Sequence, residues 1–172
     1  MAVSGAAQAV AQSLCVATPV SLKLRDTALV DHRGRRVKLL SDLIDRPGVS
    51  VISFVYTGCQ SYCPPASLIM QMVDGKAAPD VRLASVTIDP LTDQPDVLAV
   101  RAREMGASER WAWLTGEPSE VFDLLDRVGV SFGRIEDHDV VFLIAGGGRL
   151  LRFRSLPDPD QILCVVRKLA AR

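Results

Sequence analysis

The stretch 49–56, VSVISFVY, is β-branched and aromatic and is interrupted only by Ser50 and Ser53. A run apolar on both alternating faces predicts a strand buried on both sides of a sheet. The stretch 81–89, VRLASVTID, predicts a second central strand. Between them, 64–73 carries Leu68, Ile69, Met72 and Val73 as the apolar positions of a helix, which Gly75 and Pro79 end. Asp93 is the expected N-cap of the next helix, with Pro95 in its first turn and Gly106 closing it. A short strand is expected at 111–114. A third helix follows at 119–128, with Val121, Leu124, Leu125 and Val128 on one side and Gly129 as its stop. Segments 140–145 and 149–154 flank Gly146-Gly147-Gly148 and predict a β-hairpin, and 158–171 predicts a terminal helix. Upstream, 21–24 and 36–40 read as short strands on either side of a turn at Asp31-His32-Arg33-Gly34. The stretch 41–48, SDLIDRPG, reads as a helical turn ended by Pro47-Gly48.

Strands alternating with helices imply a parallel core with helices on both faces, and a closing hairpin makes the sheet mixed. The expected architecture is α/β, a three-layer α/β/α sandwich. It forms a single domain over 19–172, preceded by a flexible lead-in at 1–18. A strand, a cysteine loop and a helix at the start, with a hairpin and a helix at the finish, follow the thioredoxin plan.

Composition narrows the function classes. The chain has 172 residues, of which 48% are hydrophobic and 23% charged, an ordinary balance for a folded domain. Its 20 basic and 20 acidic residues cancel, so no basic field points to nucleic acid or to an anionic membrane surface. The most apolar run is far shorter than the roughly 20 residues a membrane span needs. The first Lys or Arg is Lys23, so the N-terminus lacks the charged start of a signal peptide. Either a cytosolic protein or a chain whose leader or anchor is absent fits that pattern.

Four cysteines are present: Cys15, Cys59, Cys63 and Cys164. The count is too low for a disulfide scaffold at this length. Cys59 and Cys63 lie four apart, between an apolar strand and a helix with Pro64 at its start. On an ideal helix that step separates Cα atoms by roughly 6.2 Å. The disulfide range ends near about 6.8 Å, so the spacing suits a loose disulfide or a wide metal claw. A helix N-terminus lowers a thiol's pKa and favours thiolate, and soft thiolates select Cu(I), zinc or iron–sulfur centres. A structural crosslink, a redox couple and a metal clamp all remain open on the spacing alone.

A two-cysteine metal site needs a third ligand. His32 sits in a charged turn beside Arg33, Arg35 and Arg36 and reads as a solvated turn residue. His138, in RIEDHDVVFLI, stands at the entrance to a strand, where distant segments can converge, although from these residues alone a plain loop role is the first reading. Met72 reads as core, and Met70 is left unassigned. Trp111 and Trp113 alternate, as core packing or as a docking face. On the terminal helix, Ile162, Val165, Val166 and Leu169 mark the buried stripe, and Cys164 points away toward Arg167 and Lys168. A Cys15–Cys164 bridge that ties down the N-terminal tail and two free thiols are both open.

Four segments together resemble one family. FVYTGCQSYCPPAS is similar to the aromatic-rich strand and C-x-x-x-C-P of the Sco/SenC copper-binding proteins. VTIDPLTDQPDVL resembles their D-P-x-x-D-x-P turn, WAWLTG their L-T-G segment and EDHDVVFLI their D-H-S motif. The resemblance implies a thioredoxin-like fold with an added N-terminal β-hairpin. It implies a copper site of Cys59, Cys63 and His138, for Cu(I) with Cu(II) left open. Asp89 and Asp137 are candidates to orient ligands from behind. The implied role is a copper metallochaperone that serves, or reduces the cysteines of, the dinuclear copper site of cytochrome c oxidase or a related copper enzyme. Other copper chaperones or thiol reductants would be further partners. The implied compartment is the periplasm or the mitochondrial intermembrane space, with an anchor on the full-length protein. Three departures bear on fine tuning and partner choice: the spacer is Gln60-Ser61-Tyr62, Asp139 stands where the family has serine, and the stretch GVSFGRIED before the histidine is short. The alternative reading is a metal-independent thiol–disulfide oxidoreductase using Cys59 and Cys63 as its redox pair. That reading would normally call for C-x-x-C or a single peroxidatic cysteine.

Overall fold

The computed structural model describes residues 15–58, 65–130, 140–153 and 155–171. Strand β4 (Ser50–Val55) is buried along its whole length, as the continuous apolar run requires. It pairs in parallel with β5 (Arg82–Thr87), which pairs in parallel with β6 (Trp111–Gly116). On the other side β4 pairs antiparallel with β7 (Phe142–Gly146), which returns as β8 (Arg149–Phe153). Gly147 and Gly148, at φ 58 and 70, make the two-residue turn between β7 and β8, a conformation side chains disfavour. At the margins lie β1 (Thr18–Pro19), against β8, and the hairpin of β2 (Ala28–Asp31) with β3 (Arg36–Lys38), against β6. The sheet order is β1-β8-β7-β4-β5-β6-β2-β3.

Helices α1 (Pro65–Lys76), α2 (Pro95–Glu104) and α4 (Pro159–Ala170) cover one face. Their buried positions, among them Val73, Leu98 and Val166, pack with Val51 and Val55. A π-helical turn (Leu39–Ile44) and α3 (Pro118–Val128) cover the other, where Leu43 and Leu124 pack with Ile52 and Phe54. The mixed α/β fold in three layers is therefore present. Two polar interruptions of the central strands satisfy each other. Ser53 and Ser85 share a 2.9 Å hydroxyl bond, and the Trp111 indole N–H donates to Ser85 Oγ at 2.9 Å.

Several expected elements shift. Residues 21–24 form no strand. Leu22 and Leu24 alternate because they pack, partly buried, against the core, while the strand that pairs begins at Ala28. The helical turn expected at 41–48 begins at Leu39, because Leu39 and Leu43 are its buried positions. On α1 the buried row is Ala66, Ile69, Met70 and Val73, an i, i+3, i+4, i+7 stripe. Leu68 and Met72 fall on the neighbouring row and are exposed, so Met70, not Met72, is the core methionine. Trp111 and Trp113 are both fully buried, with ring centroids 5.3 Å apart, which assigns them to packing.

Cys15 and Cys164 form a disulfide, with Cα atoms 5.3 Å apart. Together with the β1–β8 pairing, it holds residues 15–19 of the tail, including the last part of the expected lead-in, to the sheet edge and to α4.

Candidate metal centre

The three parallel strands end together, and the loops that follow them lie at one edge of the sheet. β4 delivers the chain to Tyr56, Thr57 and Gly58, one residue before Cys59, and α1 resumes at Pro65. The parallel register sets Val55 beside Thr87, and the Ile88 N–H donates to the Val55 carbonyl at 2.7 Å. β7 runs antiparallel, so its first residue, Phe142, pairs with Ser53 near the end of β4. The chain therefore enters β7 at the edge where β4 leaves the sheet. Cys59, Cys63, Asp137 and His138 themselves lie outside the described residues.

Asp89 is described. It is partly buried in the turn after β5, its N–H donates to Thr87 Oγ1 at 2.9 Å, and its carbonyl accepts from the Asp93 N–H at 2.9 Å. It thus stands in the turn that follows β5, at the edge of the sheet where β4 also ends.

Asp93 is not the helix cap that the sequence suggested. Gln94 occupies the N-cap of α2, and no side chain caps that end. Pro95 starts the helix one residue later than an Asp93 cap would allow, and the Asp93 side chain turns inward, fully buried. One oxygen accepts the Thr57 N–H at 3.1 Å and the Thr87 hydroxyl at 2.6 Å; the other accepts the Thr57 hydroxyl. A buried carboxylate needs such donors, since each unmade bond would cost about 1–3 kcal/mol. The legible signal was a threonine at or just past the end of each of two adjacent strands, with an aspartate a few residues on.

The other donors in the sequence are engaged elsewhere. His32 Nδ1 accepts the Trp113 N–H at 3.1 Å, and the His32 N–H donates to the Trp113 carbonyl at 2.8 Å. Burial, then the Arg33 charge, holds its imidazole below the ordinary pKa, so the ring works as a neutral acceptor rather than a solvated turn residue. Cys15 and Cys164 are joined to each other. Among the described residues no group of three or more His, Cys, Asp or Glu could hold a metal ion.

The SCO1/SenC family model matches residues 23–170. The chain belongs to the SCO1/SenC family. Among curated relatives, the SCO1 protein homolog of Bacillus subtilis is 28% identical over 102 residues, covering 57% of this chain and 51% of that protein. The match thus spans about half the length of that relative. Among solved structures, BsSco, described with a disulfide switch in the Sco family of cytochrome c oxidase assembly proteins, superposes with a TM-score of 0.72. It is 23% identical, over 91% of this chain and 98% of that one. ScoI of Bradyrhizobium japonicum with copper bound gives a TM-score of 0.60 at 19% identity, over 88% of this chain and 99% of its own. At these identities the structures speak to the SCO1/SenC fold. No helix among the described residues of this SCO1/SenC chain is long and apolar enough to cross a membrane.

Proposed function

We propose that this SCO1/SenC protein carries one Cu(I) ion on the thiolates of Cys59 and Cys63 and the imidazole of His138. It delivers the ion to, or reduces the cysteines of, the dinuclear copper centre of cytochrome c oxidase or a related copper enzyme. The observation that carries this reading is the Cys15–Cys164 disulfide. Of the four cysteines it removes two, and the remaining pair is the C-x-x-x-C. His32 is likewise engaged by Trp113, which leaves His138 as the other imidazole. The sheet adds support, because β4 leaves and β7 enters at one edge. Copper bound to Bradyrhizobium ScoI is consistent with the same cargo in this relative.

Two thiolates and a neutral imidazole are soft or intermediate donors, and the set suits Cu(I). With the ion it carries a net charge of about −1, and a partner's soft ligands can take the cargo over by exchange. Oxidation of Cys59 and Cys63 to a disulfide removes two protons and two electrons to an oxidant and leaves no thiolate for the metal. Redox state thus gates loading, and the reduced pair can instead pass its electrons to a partner's disulfide. Asp89 and Asp137 are proposed to orient the ligands from behind. A disulfide between Cys15 and Cys164 fits an oxidising compartment, the periplasm or the intermembrane space, where an anchored SCO1/SenC protein would work.

The test is metal analysis of the reduced protein beside Cys59→Ala, Cys63→Ala and His138→Ala. One copper per chain in the parent, lost or weakened in each variant, is the expected result. A parent that holds no copper, or variants that load as well as it does, would sink the reading.

A further inference from the structure

We infer that Asp93 is a positioning residue for the cysteine loop and acts through Thr57. The proposal rests on the reading of Cys59 and Cys63 as the working thiols.

Thr57 stands two residues before Cys59, past the end of β4. At that point the chain has left the β-ladder, so sheet pairing no longer fixes its direction. Asp93 takes over. Its carboxylate holds the Thr57 N–H at 3.1 Å and also the Thr57 hydroxyl, gripping one residue at two points. The same carboxylate is tied to β5 through the Thr87 hydroxyl at 2.6 Å. Thr87 Oγ1 in turn accepts the Asp89 N–H at 2.9 Å, and the Asp93 N–H closes the turn on the Asp89 carbonyl at 2.9 Å. The root of the cysteine loop and the Asp89–Asp93 turn are thereby one hydrogen-bonded unit, with the fully buried Asp93 at its centre.

This arrangement is more than a fold lock, because of where it sits. A helix cap at this position would have satisfied α2; instead α2 begins without a side-chain cap and the aspartate is spent on the loop root. A ligand whose backbone is held before the metal arrives loses less conformational freedom on binding. Fixing Thr57 anchors the backbone two residues before Cys59, and the proposal is that this anchor sets how readily the Cys59 thiol meets Cys63 or a shared ion. Both the dithiol–disulfide equilibrium and the metal affinity should therefore respond to this bond.

The experiment compares Thr57→Val, which keeps the shape and deletes the hydroxyl donor, with Thr57→Ser, which keeps the donor. Asp93→Asn, which keeps the shape but leaves at least one donor without an acceptor, is the second arm. Each reduced protein is titrated with Cu(I) against a colorimetric chelator. Separately, each is equilibrated with reduced and oxidised glutathione to read the Cys59/Cys63 couple, and its thermal midpoint is measured. Thr57→Val is expected to shift both constants about tenfold, with Thr57→Ser within about threefold of the parent and Asp93→Asn shifted further than Thr57→Val. A Thr57→Val protein whose midpoint falls while both constants stay at parental values would overturn the proposal. So would Thr57→Ser behaving like Thr57→Val. If the parent binds no Cu(I), the copper reading fails on its own, and a shift of the glutathione equilibrium in Thr57→Val still upholds the positioning role.

Discussion

Cys15 and Cys164, separated by 149 positions, are covalently joined across the edge of the sheet, with their Cα atoms 5.3 Å apart. The bond closes nearly the whole domain into a ring. It also pins the two-residue strand β1 over β8, which would otherwise be an open sheet edge.

Closing a loop of this length restricts the unfolded chain. Replacing both residues, Cys15→Ser with Cys164→Ser, should cost about 2–5 kcal/mol in denaturant unfolding. The Cys59→Ala/Cys63→Ala protein, denatured without reductant, should show no free thiol, and two per chain after reduction. Two thiols without reductant would mean that the bridge does not form.

Oxidising Cys59 and Cys63 should abolish tight Cu(I) binding, because thiolates are the form that ligates. A Cu(I) titration before and after treatment with oxidised glutathione reads this directly. Equal affinity in the two states would end the idea of a redox gate.

Asp31 gives the clearest dependence of stability on pH. Burial alone would raise its carboxyl. The hydrogen bonds from Arg35 and Arg33 and the Arg35 charge outweigh that and hold it below the ordinary carboxylate range. The folded pKa is depressed, so the stabilisation is complete above the unfolded value and is lost as pH falls through the folded one. Asp31→Asn should cost about 1–3 kcal/mol at neutral pH. It should cost little in strong acid, and the acid limb of the stability curve should flatten. A constant difference between variant and parent down the whole acid limb would contradict this assignment.

The two methionines of α1 should behave in opposite ways. Met70 is fully buried, so Met70→Ala should cost about 2–5 kcal/mol. Met72 is 49% exposed, and Met72→Ala should stay within about 0.5 kcal/mol of the parent. Comparable losses at both positions would mean that the buried row is drawn wrongly.

Periodicity located the central elements because burial on both faces leaves a continuous apolar run. β4, β5 and β7 carry that mark. It failed where the same pattern has two solutions. Leu22 and Leu24 alternate like a strand but meet that requirement by packing alone. On α1 two adjacent rows, 66/69/70/73 and 68/72, are both apolar, and nothing local says which faces the sheet. The proposed ligands Cys59, Cys63 and His138 were legible only as motifs, and they lie outside the described residues.

Local chemistry, read along the chain, was enough to specify the α/β class, the cysteine loop between a buried strand and a helix, and the family. Those properties depend on residue type and spacing within short windows. Which cysteines pair with which, where the Asp93 carboxylate points and which histidine is occupied were decided by the folded sheet. Each depends on partners tens of residues away, brought within hydrogen-bond or covalent reach only when β4, β5, β6 and α4 pack together.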